Sequence, residues 1–378
     1  MKAKEAMEAL PEYFQGLLQS SSAQRPAWNM EMIRSGASNV WSYVDACMIA
    51  AALALYEING DRRYLTFADE FLDWYVESDG SIRTYYMGEW NIDNICPGKN
   101  LFPLLQYTGK EKYQKAIFLL QKQLEQMPRT KEGSFWHKGI YPWQVWLDGL
   151  FMAQPFYMKY EMEYGDGQGW KDILLQFSNV QRLMKKENGL YFHGYDESRS
   201  MYWADPKTGC SPNCWGRAVG WLMAALADVL EASGPDKSKE LNDFLGRMAL
   251  ELVQALAPWQ QEDGMFLQVL DMPEAKGNYP ETSATMLIAY GILKCIRLGY
   301  LPAEYRRMAQ RAFEGTVQRY LTRQADGSLK LGGICLVAGL GGAAHRDGSL
   351  KYYFGEPVVE NEGKGIAPLM LCYTELIR

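Results

Sequence analysis

The sequence predicts an all-α protein in which six helical hairpins close into a double ring, an (α/α)6 barrel with short strands in its loops. Two observations support this prediction. One short turn phrase recurs along the chain, and the helices between its copies come in pairs of unlike character. Recurrence of one structural unit at intervals of tens of residues is the sequence signature of a repeat architecture.

The recurring phrase is an acidic residue or Asn, then Gly, then residues that suit a strand. Gly supplies the positive φ of a tight turn without steric cost, and the residues after it favour an extended backbone. Each copy is therefore predicted to form a tight turn between helices. The five copies begin at Asp79, Glu132, Asn188, Asp263 and Asp326.

The two helices of each pair differ in where they are apolar. The helix before a turn is amphipathic, as in 238–259, so we expect it outside the ring with one wet face. Its partner is apolar nearly all round and rich in Ala, as in 40–58 and 215–232, which indicates burial on every side. An open solenoid would have helices alike in burial and polar end caps, so the alternation favours a closed ring. The predicted pairs are 2–19 with 40–59, 61–77 with 91–107, 110–126 with 143–164, 168–184 with 214–232, 236–258 with 280–298, and 302–321 with 361–377.

Length and composition fit a globular protein rather than a disordered chain or a polyelectrolyte binder. The chain has 378 residues, of which 48% are hydrophobic and 22% charged, with a formal net charge of −6. Length alone would suggest two domains, but closed barrels commonly run longer as one unit, so we expect a single domain over 1–378. Binding to nucleic acid needs a basic face, and no basic run is present, so we expect no nucleic-acid partner.

The sequence also favours a cytoplasmic protein without a membrane partner or a metal. The longest apolar run, 48–56, is about half of what a membrane-spanning helix needs, and the N-terminus does not resemble a signal peptide. Cysteines inside apolar helical patterns behave as small hydrophobes, which fits a reducing compartment. Cys210 and Cys214 have a spacing compatible with zinc, but no second pair completes a tetrahedral set. We expect no metal, no cofactor, and a monomer or weak homodimer.

The predicted topology gathers unusual residues at one mouth of the ring. All six inner helices run the same way, so their N-terminal ends meet there together with the turns. Aromatic rings stack on sugar C–H faces and carboxyl groups transfer protons, so this mixture predicts a sugar site. The residues are Trp41, Tyr43, Asp45, Asp93, Asn94, Trp143, Trp146, Asp148, Trp215, Arg217, Trp221, Glu281, Thr282, Glu360 and Asn361, with Trp136, His137, Lys138, Tyr191, His193 and Trp203 from the turns.

Among the carboxyl groups, Asp148 is the strongest candidate for a general acid. It is expected on an otherwise apolar helix, where a charge is costly to bury and the pKa of a carboxyl rises. Asp93 has two interpretations, a helix cap or a second catalytic carboxyl, and Asp45 is interpreted as a packed polar residue.

A cation is expected beside these carboxyls. Arg217 stands at the head of an apolar helix and needs an anion, from the protein or from a ligand. With Lys138 and His193 at the same mouth, a carboxylated sugar is a reasonable ligand, although His193 alone could be a satisfied loop histidine. Trp221 suits either the core or a sugar-stacking wall.

Three motifs resemble glycoside hydrolase family 105, the unsaturated rhamnogalacturonyl hydrolases. They are residues 146–156 (WLDGLFMAQPF), residues 215–221 (WGRAVGW), and residues 345–349 (HRDGS) through 356–365 (EPVVENEGKG). The resemblance extends from Trp41 to Lys364 and implies the same barrel.

By position, the resemblance implies that Asp148 is the general acid and base and Asp93 the second carboxyl. It implies that His193 and Arg217 recognise the uronate and that Trp215 and Trp221 form stacking walls. It further implies that Tyr43, His137 and Lys138 line the pocket.

The implied reaction is hydration of the enol ether in a 4,5-unsaturated galacturonyl residue, which releases it from a rhamnogalacturonan (pectin) oligosaccharide without a cofactor. Three alternatives stay open. One is unsaturated glucuronyl hydrolysis of glycosaminoglycan or ulvan fragments. The others are an aldose-ketose isomerase or epimerase that uses a histidine pair such as His193 and His345, and a noncatalytic sugar-binding protein.

Overall fold

The computed structural model describes residues 1–235 and 238–378, and nearly all of its regular structure is helical. Four short 3-10 helices occur, at Met87–Glu89, Ile92–Asn100, Ala257–Trp259 and Ala303–Tyr305. The α-helices are α1 (Ala3–Gln19), α2 (Met30–Ser35), α3 (Tyr43–Asn59), α4 (Arg62–Tyr75), α5 (Leu101–Thr108), α6 (Glu111–Gln126), α7 (Gly149–Tyr164), α8 (Gly169–Met184), α9 (Gly216–Ser233), α10 (Lys239–Leu256), α11 (Thr282–Arg297), α12 (Arg306–Tyr320), α13 (Leu350–Gly355) and α14 (Gly363–Ile377).

Six short strands form three antiparallel pairs. They are β1 (Gln144–Trp146) with β2 (Gly194–Asp196), β3 (Leu321–Arg323) with β4 (Leu329–Leu331), and β5 (Ile334–Cys335) with β6 (Val358–Val359). All six strands lie in segments that connect one helix to the next, so the pairs belong to the loops around the ring.

The helices form two concentric rings, which confirms the predicted fold class. Each inner element packs against the next in the order α3, the 3-10 helix Ile92–Asn100 with α5, α7, α9, α11 and α14. Helix α14 then packs against α3, so the inner ring is closed. Helices α1, α4, α6, α8, α10 and α12 lie outside and cover it.

Burial follows the predicted division between inner and outer helices. Every residue of α11 from Thr282 to Cys295 is buried, whereas α4 and α10 alternate buried and exposed positions. Small residues allow the inner helices to approach closely: a Cβ at Gly220 of α9 would meet Leu287 of α11, and one at Gly291 would meet Met223. The all-apolar helices α9 and α11 therefore pack in close contact.

The five turn phrases adopt the predicted conformation. Their glycines, 80, 133, 189, 264 and 327, all have φ between 84° and 89°. At the first copy, the amide of Gly80 donates to the Glu77 carbonyl and the amide of Glu77 donates to the Ser81 carbonyl, both at 2.9 Å. The same two bonds recur at each of the other four copies. A turn that closes with a positive-φ residue is the standard three-residue hairpin.

Two inner elements begin differently from the prediction. The element predicted over 91–107 starts as a 3-10 helix containing Pro97 and becomes α-helical only at Leu101. Helix α7 starts at Gly149 instead of 143, because residues 144–146 pair with β2. The sequence pattern could not distinguish this strand from the start of the helix, since the segment is as apolar as the helix after it. The predicted start of the ninth helix at 236 lies outside the described residues.

The seven cysteines are all buried and unpaired, including those of α3, α11 and α14 that were predicted to be free thiols. In the part of the chain that the structure describes, no helix is both long enough and apolar enough to span a bilayer.

Two of the turn glycines provide a matched test of the packing. Gly264 and Gly327 have nearly equal φ, 89° and 85°, but a Cβ at 264 would overlap the Arg311 carbonyl, whereas nothing lies within 4 Å at 327. We predict that Gly264→Ala destabilises the fold by about 1 to 3 kcal/mol more than Gly327→Ala, because only the first adds overpacking to the cost of positive φ. Thermal unfolding of both variants measures the difference, and equal losses would contradict the close contact between the turn and α12.

Candidate active site

Asp148 lies at the mouth of the ring because it follows strand β1, which is paired with β2 there. Trp146 of β1 is opposite Gly194 of β2, and the Leu147 amide donates to the His193 carbonyl at 2.9 Å. Asp148 follows as the first residue before α7, with helical backbone angles and no capping bond from its side chain. Asp148 was predicted to lie inside an apolar helix, but it lies just before the helix begins. The predicted apolar surroundings are confirmed, because Gly149 to Phe156 are buried.

The Asp148 carboxyl is held in a setting that disfavours its charge. Its Oδ1 is buried and has no hydrogen-bond partner among the described residues, and it lies 3.9 Å from Nε2 of His193. Burial, and next the negative charge of Asp93, raise the pKa of Asp148 to about 7. Asp148 is therefore largely protonated just below neutral pH, as a proton donor must be.

Asp93 is the opposite case. It lies in the 3-10 helix Ile92–Asn100, where its Oδ2 is 2.7 Å from Nζ of Lys138 and its Oδ1 is 3.6 Å from Nε2 of His137. Burial is the largest single effect and opposes ionisation, but the charge and hydrogen bond of Lys138, together with His137, outweigh it, so the pKa of Asp93 lies below its ordinary value. The helix cap is supplied by Asn91, whose side chain accepts from the Asp93 amide. The interpretation of Asp93 as a cap is thus wrong.

Both mouth histidines are neutral. Burial lowers the pKa of His137 to about 3 and that of His193 well below its ordinary value. Lys138 is charged but paired with Asp93. Of the three cations that we expected, His193 is therefore uncharged and Lys138 is neutralised by Asp93, while Arg217 stays charged, because desolvation removes the charge of an imidazole more easily than that of a guanidinium.

Arg217 is buried and bound to neutral oxygens. Its Nη1 donates to the Cys335 carbonyl at 2.5 Å and to Oγ of Ser283 at 3.1 Å. Among the described residues, no carboxylate oxygen lies within 4.0 Å of a guanidinium nitrogen of Arg217, the distance that defines a salt bridge. Of the two anion sources that we expected for Arg217, a protein carboxylate is not in contact among the described residues, and the guanidinium lies 4.7 Å over the ring of Trp215.

The two tryptophans of the WGRAVGW motif support the site from behind. Both are only 2% exposed. Trp215 contacts His193, with ring centroids 4.7 Å apart. Trp221 packs against Phe151 at 4.5 Å with tilted rings and contacts Tyr43 edge-on at 6.3 Å. Tyr43 is partly exposed and lies within the fields of Arg217 and Asp93. Trp221 is consequently a core residue that holds Tyr43.

Sequence reasoning placed Trp146 at the mouth but missed two residues that complete it, Tyr141 and Arg346. Trp146 stacks between Tyr141, at 4.9 Å, and His137, at 4.4 Å. Arg346 donates to the Tyr141 hydroxyl at 2.8 Å and joins the 339–349 loop to this stack. Arg346 lies in the HRDGS motif, so the resemblance contained a signal for it.

Two other carboxyl groups expected at the mouth, those of Asp45 and Glu281, have structural partners. Asp45 accepts from Trp28 at 2.8 Å and from Asn39 at 2.7 Å, as its interpretation as a packed polar residue predicted. Glu281 caps α11 by accepting from the Ala284 amide. No group of His, Cys, Asp and Glu side chains arranged to hold a metal occurs among the described residues.

Comparison with known proteins decides the family. The sequence pattern of Glycosyl Hydrolase Family 88 matches residues 20–378. A family 105 glycoside hydrolase of C. acetobutylicum ATCC 824 is 40% identical in sequence, covers 96% of this chain and 99% of its own, and superposes with a TM-score of 0.87.

The chain belongs to glycoside hydrolase family 105.

Two further relatives of this family 105 hydrolase are informative. An unsaturated 3S-rhamnoglycuronyl hydrolase of Alteromonas sp. (strain LOR) is 30% identical over 168 residues, which are 41% of this chain and 36% of that protein. The unsaturated glucuronyl hydrolase of Bacillus sp. GL1, responsible for the degradation of glycosaminoglycan, is 15% identical with a TM-score of 0.69 and covers 98% of this chain and 97% of its own. The second likeness shows the shared fold.

The unfavourable burial of Asp148 predicts a gain in stability when its charge is removed. Because its folded pKa, about 7, is above the ordinary value of 3.8, the folded state binds more protons and the free energy of unfolding falls as pH rises from 4 to 7. Asp148→Asn should therefore be more stable than the wild type at pH 8 by about 1 to 4 kcal/mol, with the gain vanishing near pH 4.

Asp93→Asn is the matched control, because it removes a carboxyl whose pKa is lowered and leaves Lys138 unpaired. It should lose stability at pH 8. Thermal unfolding at both pH values measures the two effects, and a loss for Asp148→Asn at pH 8 would contradict the raised pKa.

Proposed function

We propose that this family 105 hydrolase is an unsaturated rhamnogalacturonyl hydrolase, which removes a 4,5-unsaturated galacturonyl residue from rhamnogalacturonan oligosaccharides. The observation that supports this most directly is the pair of mouth carboxyls with opposite pKa shifts, Asp148 raised and Asp93 lowered. Two carboxyls held in unlike protonation states near neutral pH are the usual equipment of acid-base chemistry on a sugar.

In the proposed reaction Asp148 acts first as acid and then as base. Its proton adds to ring carbon 4 of the enol ether, and the positive charge that develops is shared by carbon 5 and the ring oxygen. Water adds to carbon 5 and gives a proton to the Asp148 carboxylate, which restores the acid. The hemiketal opens to a ketone at carbon 5, and the hemiacetal left at carbon 1 releases the rhamnose-ended product. The balance needs one water and no cofactor.

Recognition of the uronate is assigned to Arg217 and His193. Arg217 keeps a full charge without a carboxylate in contact, so a substrate carboxylate would gain charge-assisted hydrogen bonds there. His193 is neutral and has a free Nε2 beside Asp148, which suits a hydrogen bond to the same sugar. The remaining sides of the pocket are lined in this proposal by Tyr43, His137, Lys138 and Trp215. Burial, and next the negative charge of Asp93, keep Asp148 protonated.

The leaving sugar is the finer part of the proposal. Rhamnose is supported by the name of the Alteromonas relative, an unsaturated 3S-rhamnoglycuronyl hydrolase that matches part of this chain. The isomerase alternative requires His193 and His345 to act as a pair, which their positions do not support. His193 is buried, whereas His345 is exposed and stacks on Tyr202 with centroids 4.0 Å apart. Unsaturated glucuronyl hydrolysis shares the mechanism and differs only in the leaving sugar.

Asp148→Asn should abolish turnover and leave substrate affinity largely intact. The amide has nearly the same shape but no proton to deliver, and acid-base catalysis is typically worth about 10²- to 10⁴-fold. Activity is measured with unsaturated galacturonyl-rhamnose disaccharide, and affinity by calorimetry on the variant. Residual activity equal to the wild type would exclude Asp148 as the acid.

The pH dependence of kcat/KM should follow Asp148. Activity is expected to fall tenfold per pH unit above about 7, because the acid is lost as it ionises. Asp93→Asn should move this descending limb to lower pH, since the negative charge of Asp93 is one cause of the raised pKa. An unmoved limb in Asp93→Asn would show that the two carboxyls are not coupled.

Substrate choice should depend on the double bond and on the carboxylate. The wild type should not cleave saturated galacturonyl-rhamnose, which has no enol ether to protonate. Arg217→Ala should lower kcat/KM on the unsaturated disaccharide at least tenfold, about 1.4 kcal/mol, through lost charge-assisted hydrogen bonds. Loss of the ultraviolet absorbance of the conjugated acid follows the reaction. Cleavage of both disaccharides at similar rates would instead favour direct displacement at the glycosidic bond.

A further inference from the structure

His193 has two ring nitrogens in unlike surroundings, although the side chain is completely buried. Its Nδ1 lies 2.7 Å from the hydroxyl of Tyr353 in α13. Its Nε2 has no hydrogen-bond partner among the described residues and lies 3.9 Å from Oδ1 of Asp148, which also has none. The two unpartnered atoms face each other across a gap that is too long for a hydrogen bond.

The donor in the hydrogen bond between Tyr353 and His193 can be identified from the donors and acceptors that surround it. In the described part of the chain, the phenol oxygen of Tyr353 has His193 Nδ1 as its one hydrogen-bond partner. A buried hydroxyl hydrogen without an acceptor costs about 1 to 3 kcal/mol, so this hydrogen points at Nδ1. Nδ1 is then an acceptor, and the single hydrogen of the neutral imidazole is on Nε2.

The protonation states agree with this direction. Burial raises the pKa of Tyr353 well above its ordinary value, so the phenol keeps its hydrogen. Burial, with smaller effects from His137, Arg346 and Arg217, lowers the pKa of His193 well below its ordinary value. The pair is thus a neutral phenol that donates to a neutral imidazole.

Tyr353 is itself fixed by the wall of the site. Its ring is nearly parallel to that of Trp215, at 20° and 6.1 Å between centroids. Gln268 joins the two residues: its Nε2 donates to the Tyr353 carbonyl and its Oε1 accepts from Nε1 of Trp215, both at 3.2 Å. The hydroxyl of Tyr353 therefore has little freedom to leave Nδ1.

We propose that Tyr353 is a positioning residue that holds His193 in the tautomer with hydrogen on Nε2, so that His193 presents a donor to a substrate oxygen beside Asp148. In this arrangement His193 cannot accept a proton from substrate, because Nε2 already bears one and Nδ1 is occupied. The assignment of this oxygen to the unsaturated uronate rests on the proposed function. The tautomer of His193 does not depend on it.

Nitrogen NMR of 15N-histidine-labelled enzyme tests the tautomer directly. The chain has three histidines, so spectra are simple, and a His193→Gln variant assigns the signal. In the wild type we expect one protonated Nε2 and one unprotonated Nδ1 at His193, unchanged from pH 5 to pH 8. A hydrogen on Nδ1 in the wild type would overturn the proposal without any substitution.

Tyr353→Phe and Tyr352→Phe form the matched pair. Tyr352 lies next to Tyr353, but its hydroxyl accepts from the Gly339 amide and not from His193. Only Tyr353→Phe should convert the His193 signal to a mixture of tautomers, and it should raise KM for the unsaturated disaccharide about tenfold with a smaller change in kcat. An unchanged tautomer, an unchanged KM, or a mixed tautomer in Tyr352→Phe would each contradict the positioning role.

The two proposals fail in different ways. If the wild type does not act on the unsaturated disaccharide, the proposed function is wrong, while the nitrogen spectra still decide the tautomer. If the disaccharide is cleaved but Tyr353→Phe keeps the wild-type tautomer and KM, the function stands and the role of Tyr353 is refuted.

Discussion

The arrangement of the site depends on the cost of burying one carboxyl group beside another. The closed inner ring buries most of the Asp148 side chain, which is 13% exposed, and ionised Asp93 adds its negative charge, so Asp148 takes up a proton near neutral pH. Lys138 neutralises the charge that remains on Asp93. The same burial makes both histidines neutral. Arg217 keeps its charge, and no carboxylate of the described residues is in contact with it. One physical effect, desolvation, therefore sets most of the protonation states that the proposed chemistry uses.

The fold tolerates this cost because its core is extensive and tightly packed. The inner helices α9 and α11 approach through glycines, and the outer helices cover them with amphipathic faces. The strand pair β1–β2 then fixes Asp148 and His193 on adjacent segments, just where helix α7 begins. An unfavourable group held by a rigid frame is the usual trade between stability and function at an active site.

Local sequence patterns predicted the elements that local physics determines. The turn glycines, such as Gly80 and Gly264, have the predicted positive φ, and the alternation of apolar and amphipathic helices predicted the closed ring. Asp148 was identifiable because a carboxyl in an apolar segment has few other uses. The start of α7 was not, because β1 forms only by pairing with β2 some 50 residues away, and antiparallel pairing of short strands has no local signal.

The charges of the side chains at the mouth could not be predicted from the sequence either. His193 looked like a cation until its burial was known, and its contact with Tyr353 joins residues 160 positions apart. Such contacts are set by the closed ring rather than by spacing.

The most direct test of this account is titration of Asp148 itself. Carbon NMR of enzyme labelled with 13C at the aspartate carboxyl groups would follow each side chain with pH, and the Asp148→Asn variant would identify the Asp148 resonance by its loss. The account predicts a midpoint at about pH 7 for Asp148. A midpoint near the ordinary aspartate value of about 4 would show that the carboxyl is ionised at neutral pH and would contradict its role as the acid.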